Sequence, residues 1–304
     1  MAGVIVTIGT FDGVHLGHQA VLRQAREKAT ASGLPLVAYT FGVPPRRDAG
    51  EPAPPGLLLS RDLKERLLRG WADRVVWANF AEVGLLSAGR FVEEVLARDL
   101  GARGVVVGEA FRFGRGRQGD ARLLRRLAEG LGIVVTAVPS VRVGGAAVSS
   151  SEIRRLVRAG RVGEARALLG RPPILAGPVV HGDGIGKGLG YPTANLSLDP
   201  EVLLPADGIY LVRAFLAGRG SPGLLYVGER PTVAGTARRC EVYLLEPPQE
   251  GLYEKVIEVH VLERIRDDRA FASLEALRRQ IDRDVAGARA LLATSEEDSR
   301  PVLP

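Results

Sequence analysis

Through about residue 140 the chain alternates between two hydrophobic patterns. The runs "GVIVTIG", "LPLVAYTF", "RVVWANF", "GVVVGEAF" and "GIVVTAVPSV" are almost continuously apolar and rich in valine and isoleucine. Such runs suit strands buried on both faces, as in a parallel sheet covered by helices. Between them, "QAVLRQAREKA", "RFVEEVLARDL" and "ARLLRRLAEGL" repeat apolar residues every three or four positions, the period of an amphipathic helix. The pattern predicts a doubly wound α/β domain.

A Pro/Gly-rich stretch, "FGVPPRRDAGEPAPPG", interrupts this half; compact domains keep loops of that length for function or leave them disordered. Next, "SSSEIRRLVRAGRVGEARALLGRP" reads as two short helices, broken near Gly160 and stopped at Pro172, and forms the expected hinge. After Pro173 the runs "ILAGPVVHG", "GIYLVRAFLAG", "CEVYLLE" and "KVIEVHVLERI" are separated by turns without helices, so an antiparallel barrel or sandwich is expected. A long amphipathic helix follows Ser273, a good N-cap. The resulting boundaries are a first domain over 1–172 that includes a helical linker at 150–172, a second domain over 173–293, and a flexible polar tail over 294–304.

Composition narrows the class. Its 304 residues allow two modest cores, and 46% hydrophobic with 25% charged residues is ordinary for a globular protein. No apolar run approaches the roughly 18 to 20 residues of a membrane span. The start "MAGVIVTIG" lacks a basic n-region, which argues against a secretory signal. One cysteine, Cys240, allows no internal disulfide, so a cytoplasmic setting is expected. The net charge of +6 is spread over arginine pairs on helical segments, without a basic block. Solvated helix faces explain it better than a nucleic-acid footprint, and phosphorylated small molecules fit the same surplus; neither nucleic acid nor membrane is expected as a partner. The oligomeric state stays open, a homo-oligomer included.

Two segments carry candidate chemistry. In "IGTFDGVHLGHQA", His15 and His18 stand three residues apart on the first turn of the helix that follows the first strand. In a doubly wound sheet that helix N-terminus faces the crevice where anions bind. Two imidazoles on one helical face can donate hydrogen bonds to a transferring phosphoryl group, and Gly17 lets a nucleotide approach the backbone. A simple helix cap with incidental histidines explains the bare motif about equally well. "VSSSEIR" adds Ser149, Ser150, Ser151 and Arg154 at a second helix start, which alone reads as a capping run.

Together the two segments resemble the HxGH and SSTxIR motifs of the nucleotidyltransferase superfamily. With "VGEAFRFGRGRQGD" they are similar to the adenylyltransferase half of bacterial FAD synthetase, the bifunctional riboflavin kinase/FMN adenylyltransferase family. That resemblance implies a Rossmann-like nucleotidyltransferase domain followed by a small antiparallel β-barrel kinase domain with a C-terminal helix. It implies ATP phosphates held by His15 and His18, with Gly9, Phe11 and Gly13 around the nucleotide. Ser149, Ser150, Ser151 and Arg154 would hold the triphosphate from the other side, and Phe111 and Phe113 would contact flavin.

In the second domain, "HGDGIGKGLGYPTANL" packs five glycines into residues 182 to 190, more than one turn needs. The density suggests backbone amides near a ligand, although a flexible hairpin explains the glycines alone. Thr193 and Asn195, two apart on an expected strand, share a face and can offer oxygens to Mg²⁺. This loop, "GYPTAN", "GIYLVRAF", "GERPTV" and "CEVYLLE" resemble the riboflavin kinase module in order. The resemblance implies Glu241 as general base, Gly184, Gly186, Lys187, Gly188 and Gly190 around ATP, and Arg266 in the segment closing over flavin. ATP and Mg²⁺ would serve both reactions, with riboflavin, FMN and FAD as substrates and products.

The chain departs from the family pattern in places. Ala110 stands where Asp or Asn is usual, "FGVPP" lacks a common histidine, Tyr226 replaces Asn, Glu254 replaces Gly, and Asp268 replaces Glu. A kinase-only or modified-flavin paralogue and a non-catalytic flavin-binding regulator therefore stand as alternatives at this point.

Overall fold

The computed structural model describes residues 3–42, 56–182, 185–232, 235–248 and 251–294. It divides into two compact units, Met1–Leu57 with Arg61–Ser150, and Leu58–Ser60 with Ser151–Pro304.

In the first unit, β1 (Val4–Ile8), α1 (Leu16–Ser32), β2 (Leu36–Phe41), α2 (Arg61–Arg69) and β3 (Arg74–Ala78) are followed by short turns α3 (Phe80–Val83) and α4 (Ala88–Arg90). A π-wound helix, Phe91–Asp99, leads into β4 (Ala102–Gly108), α5 (Ala121–Glu129) and β5 (Val134–Val138). The five strands are parallel in the order β3-β2-β1-β4-β5. Every residue of β1 and β2 is buried, which is why their sequences are continuously apolar. The chain reverses direction across the sheet between β1 and β4, and the crevice at their carboxyl ends is the expected ligand position. A small hairpin, β6 (Arg142–Val143) with β7 (Ala146–Ala147), turns on Gly144 and Gly145, both at positive φ.

The second unit carries α6 (Ser150–Arg158, from Ser151 onward), α7 (Val162–Leu169), β8 (Ile174–Val180), α8 (Ile185–Gly188) and β9 (Ala194–Leu196). β10 (Gly208–Leu216), β11 (Arg219–Thr232), β12 (Gly235–Leu244), β13 (Val256–Asp267) and α9 (Leu274–Thr294) complete it. The strands close into an antiparallel barrel in the order β10-β11-β12-β9-β8-β13, which decides between barrel and sandwich. Its core includes Tyr210, Val212, Leu225, Val227, Val242, Val259 and Cys240. The Tyr210 hydroxyl is satisfied by donating to the Ala206 carbonyl at 2.6 Å. Burial pushes the Cys240 thiol up to about 12. Ala288 of α9 covers Leu211 and Leu224 on the outer face of the barrel.

The helical linker groups differently from the sequence expectation. Val162 belongs to the barrel core, and Gly160 leaves just enough room for Arg264, so from Ser151 these helices pack with the second unit. The tail from residue 295 lies outside the described residues.

Glu254 sits at φ 64, a left-handed conformation that suits glycine, and its amide still donates to the Val179 carbonyl at 2.9 Å. This chain therefore keeps a glycine backbone while carrying a side chain that strains it. Glu254→Gly should stabilise the second unit by about 0.5–1 kcal/mol, read as a raised thermal midpoint; an unchanged or lowered midpoint would show that the strain is relieved elsewhere.

Candidate functional site

The turn after β1 is shaped by two buried residues at positive φ, Phe11 (48°) and Val14 (38°), with Gly13 (84°) between them. His15 caps α1, and its Nδ1 accepts from the His18 amide at 3.3 Å. Accepting at Nδ1 leaves the neutral ring's proton on Nε2. The two imidazoles stack at 3.6 Å between centroids, with Phe11 edge-on to His18. Burial, His15 and Lys64 together hold His18 well below the usual histidine range, so it is a neutral hydrogen-bonding group. A Cβ at Gly17 would come within 3.1 Å of the His15 ring, so this glycine makes room for the stacked pair. Gly9 does the same for the Phe11 ring.

The pair opens on a cavity of about 350 Å³ lined also by Gly9, Phe11, Ala110, Phe111 and Phe113. Phe111 and Phe113 stack with centroids 5.6 Å apart, and Phe41, Phe80 and Phe91 extend the aromatic wall. Gly13 is buried within the turn and does not line the cavity. The Ser150 hydroxyl donates to the Asp12 carbonyl at 2.9 Å, so one hydroxyl of the serine run fastens the histidine turn. Ser149 belongs to the first unit with Ser150, while Ser151 and the buried Arg154 belong to the second. Ala110 reaches the cavity with only a methyl group. The rest of "FGVPP" beyond Gly42 lies outside the described residues.

A residue that sequence reasoning missed stands beneath this turn. Lys64 of α2 is 2% exposed, and its ammonium donates to the carbonyls of Thr10 (3.1 Å) and Phe41 (2.6 Å). Its pattern in "RDLKERLLR" signals only a helical polar position.

In the second unit, β12 presents Glu241 directly opposite Asn195 of β9. The Thr193 hydroxyl donates to the Glu241 carboxylate at 3.0 Å. The three residues singled out from sequence are thus brought together. Thr193 and Glu241 line a cavity of about 570 Å³ with Gly186, Tyr191, Tyr226, Tyr243, Arg266 and Phe271. The glycine-rich segment forms one helical turn, closed by the Tyr191 amide donating to the Gly186 carbonyl at 2.8 Å. Gly182 lies against the Asn195 amide and Gly186 against the Tyr191 carbonyl, approaches that a Cβ would block. Gly188 is on the turn and Gly190 follows it at φ 90; Gly184 and the Lys187 side chain lie outside the described residues.

Arg266 lines the cavity, but its guanidinium is engaged by Asp284 of α9 at 2.8–3.1 Å. Gln280 donates to the same buried carboxylate at 2.7 Å and accepts from Arg269. The segment after β13 is thereby tied to α9 along one wall of the cavity. Two departures from the family pattern meet on that wall: the Tyr226 hydroxyl donates to Asp268 at 3.1 Å. Tyr226 reaches it by lying across Gly228, where a Cβ would stand 2.1 Å from the hydroxyl oxygen. A longer phenol and a shorter acid thus form one coupled change.

The α/β unit presents the stacked His15–His18 pair at the crevice beyond its parallel strands, and the barrel presents a carboxylate beside a hydroxyl and across from an asparagine. These arrangements define a protein with two separate sites for phosphorus-group transfer. Comparison with known proteins gives a FAD synthetase family match over residues 1–152 and a riboflavin kinase match over 169–292. The bifunctional riboflavin kinase/FMN adenylyltransferase of Pseudomonas fluorescens is 40% identical over 96% of this chain and 94% of its own. The protein of the same name from Escherichia coli K12 is 36% identical over 94% and 92%. A crystal structure described as a macrolide-efflux protein from Streptococcus pneumoniae superposes with a TM-score of 0.85 at 33% identity, over 95% of this chain and 94% of that one. The chain belongs to the bifunctional riboflavin kinase/FMN adenylyltransferase family.

The Tyr226 hydroxyl bond is exposed, worth about 1 kcal/mol at most. Tyr226→Phe should therefore lower the stability of the second unit by no more than about 1 kcal/mol, read as a thermal midpoint only slightly below that of the wild type. A much larger fall would show that the hydroxyl holds more of this wall than its bond to Asp268.

Proposed function

We propose that the barrel unit phosphorylates riboflavin and the α/β unit adenylylates the resulting FMN, with the residues divided between the two cavities as follows. The chain converts riboflavin to FMN and FMN to FAD, using ATP and Mg²⁺ in both steps. The observation that carries the division is that each compact unit has its own cavity with its own reactive set, Thr193 and Glu241 in one and His15 and His18 in the other.

In the barrel, Glu241 takes the proton from the ribityl 5′-hydroxyl as that oxygen attacks the γ-phosphorus of ATP and ADP leaves. The Thr193 hydrogen bond fixes the carboxylate in place. Thr193 and Asn195 can offer a hydroxyl and an amide oxygen, which suit Mg²⁺, an ion that keeps several waters and takes substrate phosphates. Bound there, Mg²⁺ would offset phosphate charge. Gly186 and its helical turn form the wall on the ATP side, and the Tyr226–Asp268 wall bounds the flavin.

In the α/β unit an FMN phosphate oxygen attacks the α-phosphorus of ATP and pyrophosphate departs. The nucleophile is already anionic, so no base is required. His15 and His18 donate hydrogen bonds to the charge that builds on the transferring group. Phe111, backed by the buried Phe113 ring stacked on it, offers a flat apolar surface for the flavin ring.

Riboflavin, FMN and ATP are its small-molecule partners. The proposed setting is cytoplasmic, without nucleic-acid or membrane partners. Dispersed arginines, the buried unpaired Cys240 and the lack of any described helix long and apolar enough to cross a membrane support it. The efflux activity named for the pneumococcal structure is not carried over, since both cavities here hold transferase chemistry.

Two substitutions test the division. Glu241→Gln should lower FMN formation at least about a hundredfold while FAD formation from supplied FMN persists. His18→Ala should do the reverse, lowering FAD formation about a hundredfold. Product chromatography from riboflavin and from FMN reads both, and parallel loss of both activities in either variant would overturn the two-site assignment.

A further inference from the structure

We propose that Lys64 is a positioning residue for adenylyl transfer, clamping the carboxyl ends of β1 and β2 so that the histidine turn meets a polyphosphate without exposed carbonyl oxygens. The inference rests on the reading of the α/β unit as the adenylyltransferase.

A turn that receives an anion must keep its own carbonyls from facing it. Here each one for which a partner is seen is turned into protein. Thr10 accepts from Lys64 (3.1 Å) and from the Thr40 hydroxyl (3.2 Å), and Phe11 from the Val14 amide (3.0 Å). Asp12 accepts from Ser150 (2.9 Å) and Val14 from the Gln19 side chain (2.9 Å). Lys64 is the one charged donor in this set. It also holds Phe41 at 2.6 Å, so one ammonium joins two adjacent parallel strands where the crevice begins. Phe11 and Val14 are held in left-handed backbone, a conformation that relaxes once its tethers are cut.

The ammonium is buried, with the Trp77 ring 4.8 Å away on one side. Burial bears on its charge most and opposes it, Asp12 on the turn favours it, and Arg61 on the same helix opposes it as burial does; together they bring the group down to about 8. Its charge also reaches His18, where it helps keep the imidazole neutral. Lys64 thus acts through the turn and the histidine, without itself touching the reacting atoms in this arrangement.

The test uses both units in one chain, whose kinase reaction reports on the preparation independently. Lys64→Met should lower kcat for FAD formation from FMN by about a hundredfold, the scale of a small misplacement of catalytic groups. FMN formation from riboflavin should stay within twofold. Thr40→Val, which removes only the second donor to Thr10 at nearly constant volume, should lower FAD formation about tenfold and decides the matter if Lys64→Met fails to fold. In the wild type, kcat/KM for FAD formation, which reports the free enzyme, should fall above pH 8 as Lys64 loses its proton, while FMN formation shows no such limb. Thr40→Val at full kcat together with a flat alkaline limb would overturn the proposal, as would folded Lys64→Met at full kcat, whatever the thermal stability of either variant. No FAD from wild-type enzyme at any pH would instead overturn the underlying reading of the α/β unit, and the proposal with it.

Discussion

A phosphate group cannot be bound beside unpaired carbonyl oxygens, and the first unit is organised around that constraint. The turn after β1 lies at the position that attracts ligands in a doubly wound sheet, and its own carbonyl oxygens bring partial negative charge there. Thr40, Ser150, Gln19 and Lys64 absorb that charge from four different parts of the chain. The stacked histidines then face the cavity from a turn whose polarity has been corrected.

The barrel meets a different demand, which is to hold a carboxylate near a second anion without losing its aim. Cross-strand register sets Asn195 opposite Glu241, and a hydroxyl from the residue preceding β9 orients the acid. The neighbouring wall depends on a buried ion pair, Arg266 with Asp284, completed by Gln280. Removing one partner of such a pair leaves an uncompensated charge, so this wall is specified more sharply than an apolar one. Arg266 is therefore engaged by protein as well as facing the cavity.

Much of this was legible in the sequence because the signals are local. Two-sided burial made β1 and β2 continuously apolar, and spacing alone placed His15 with His18 and Thr193 with Asn195. What was hidden depends on distant partners. Lys64, Gln280 and Asp284 read as polar positions of amphipathic helices, since nothing near them in sequence announces the carbonyls or guanidinium that they meet. The two helices after Ser150 carried no mark of which core they would join, and the packing of Val162 and of Gly160 against Arg264 assigns them to the barrel. The glycines of residues 182 to 190 suggested ligand approach, yet at least two of them accommodate the protein's own Asn195 and Tyr191.

Cys240 has a consequence for how the barrel can be watched. It is the chain's single thiol, it is buried in the barrel core, and it immediately precedes Glu241 on β12. Burial keeps it protonated at neutral pH, so a thiol reagent has almost no nucleophile to meet while the strands are paired. Its labelling rate therefore measures how often β12 separates from its neighbours. The strand that carries the acid thus contains its own reporter, and occupancy of the kinase cavity becomes readable as a slowing of that chemistry without any turnover.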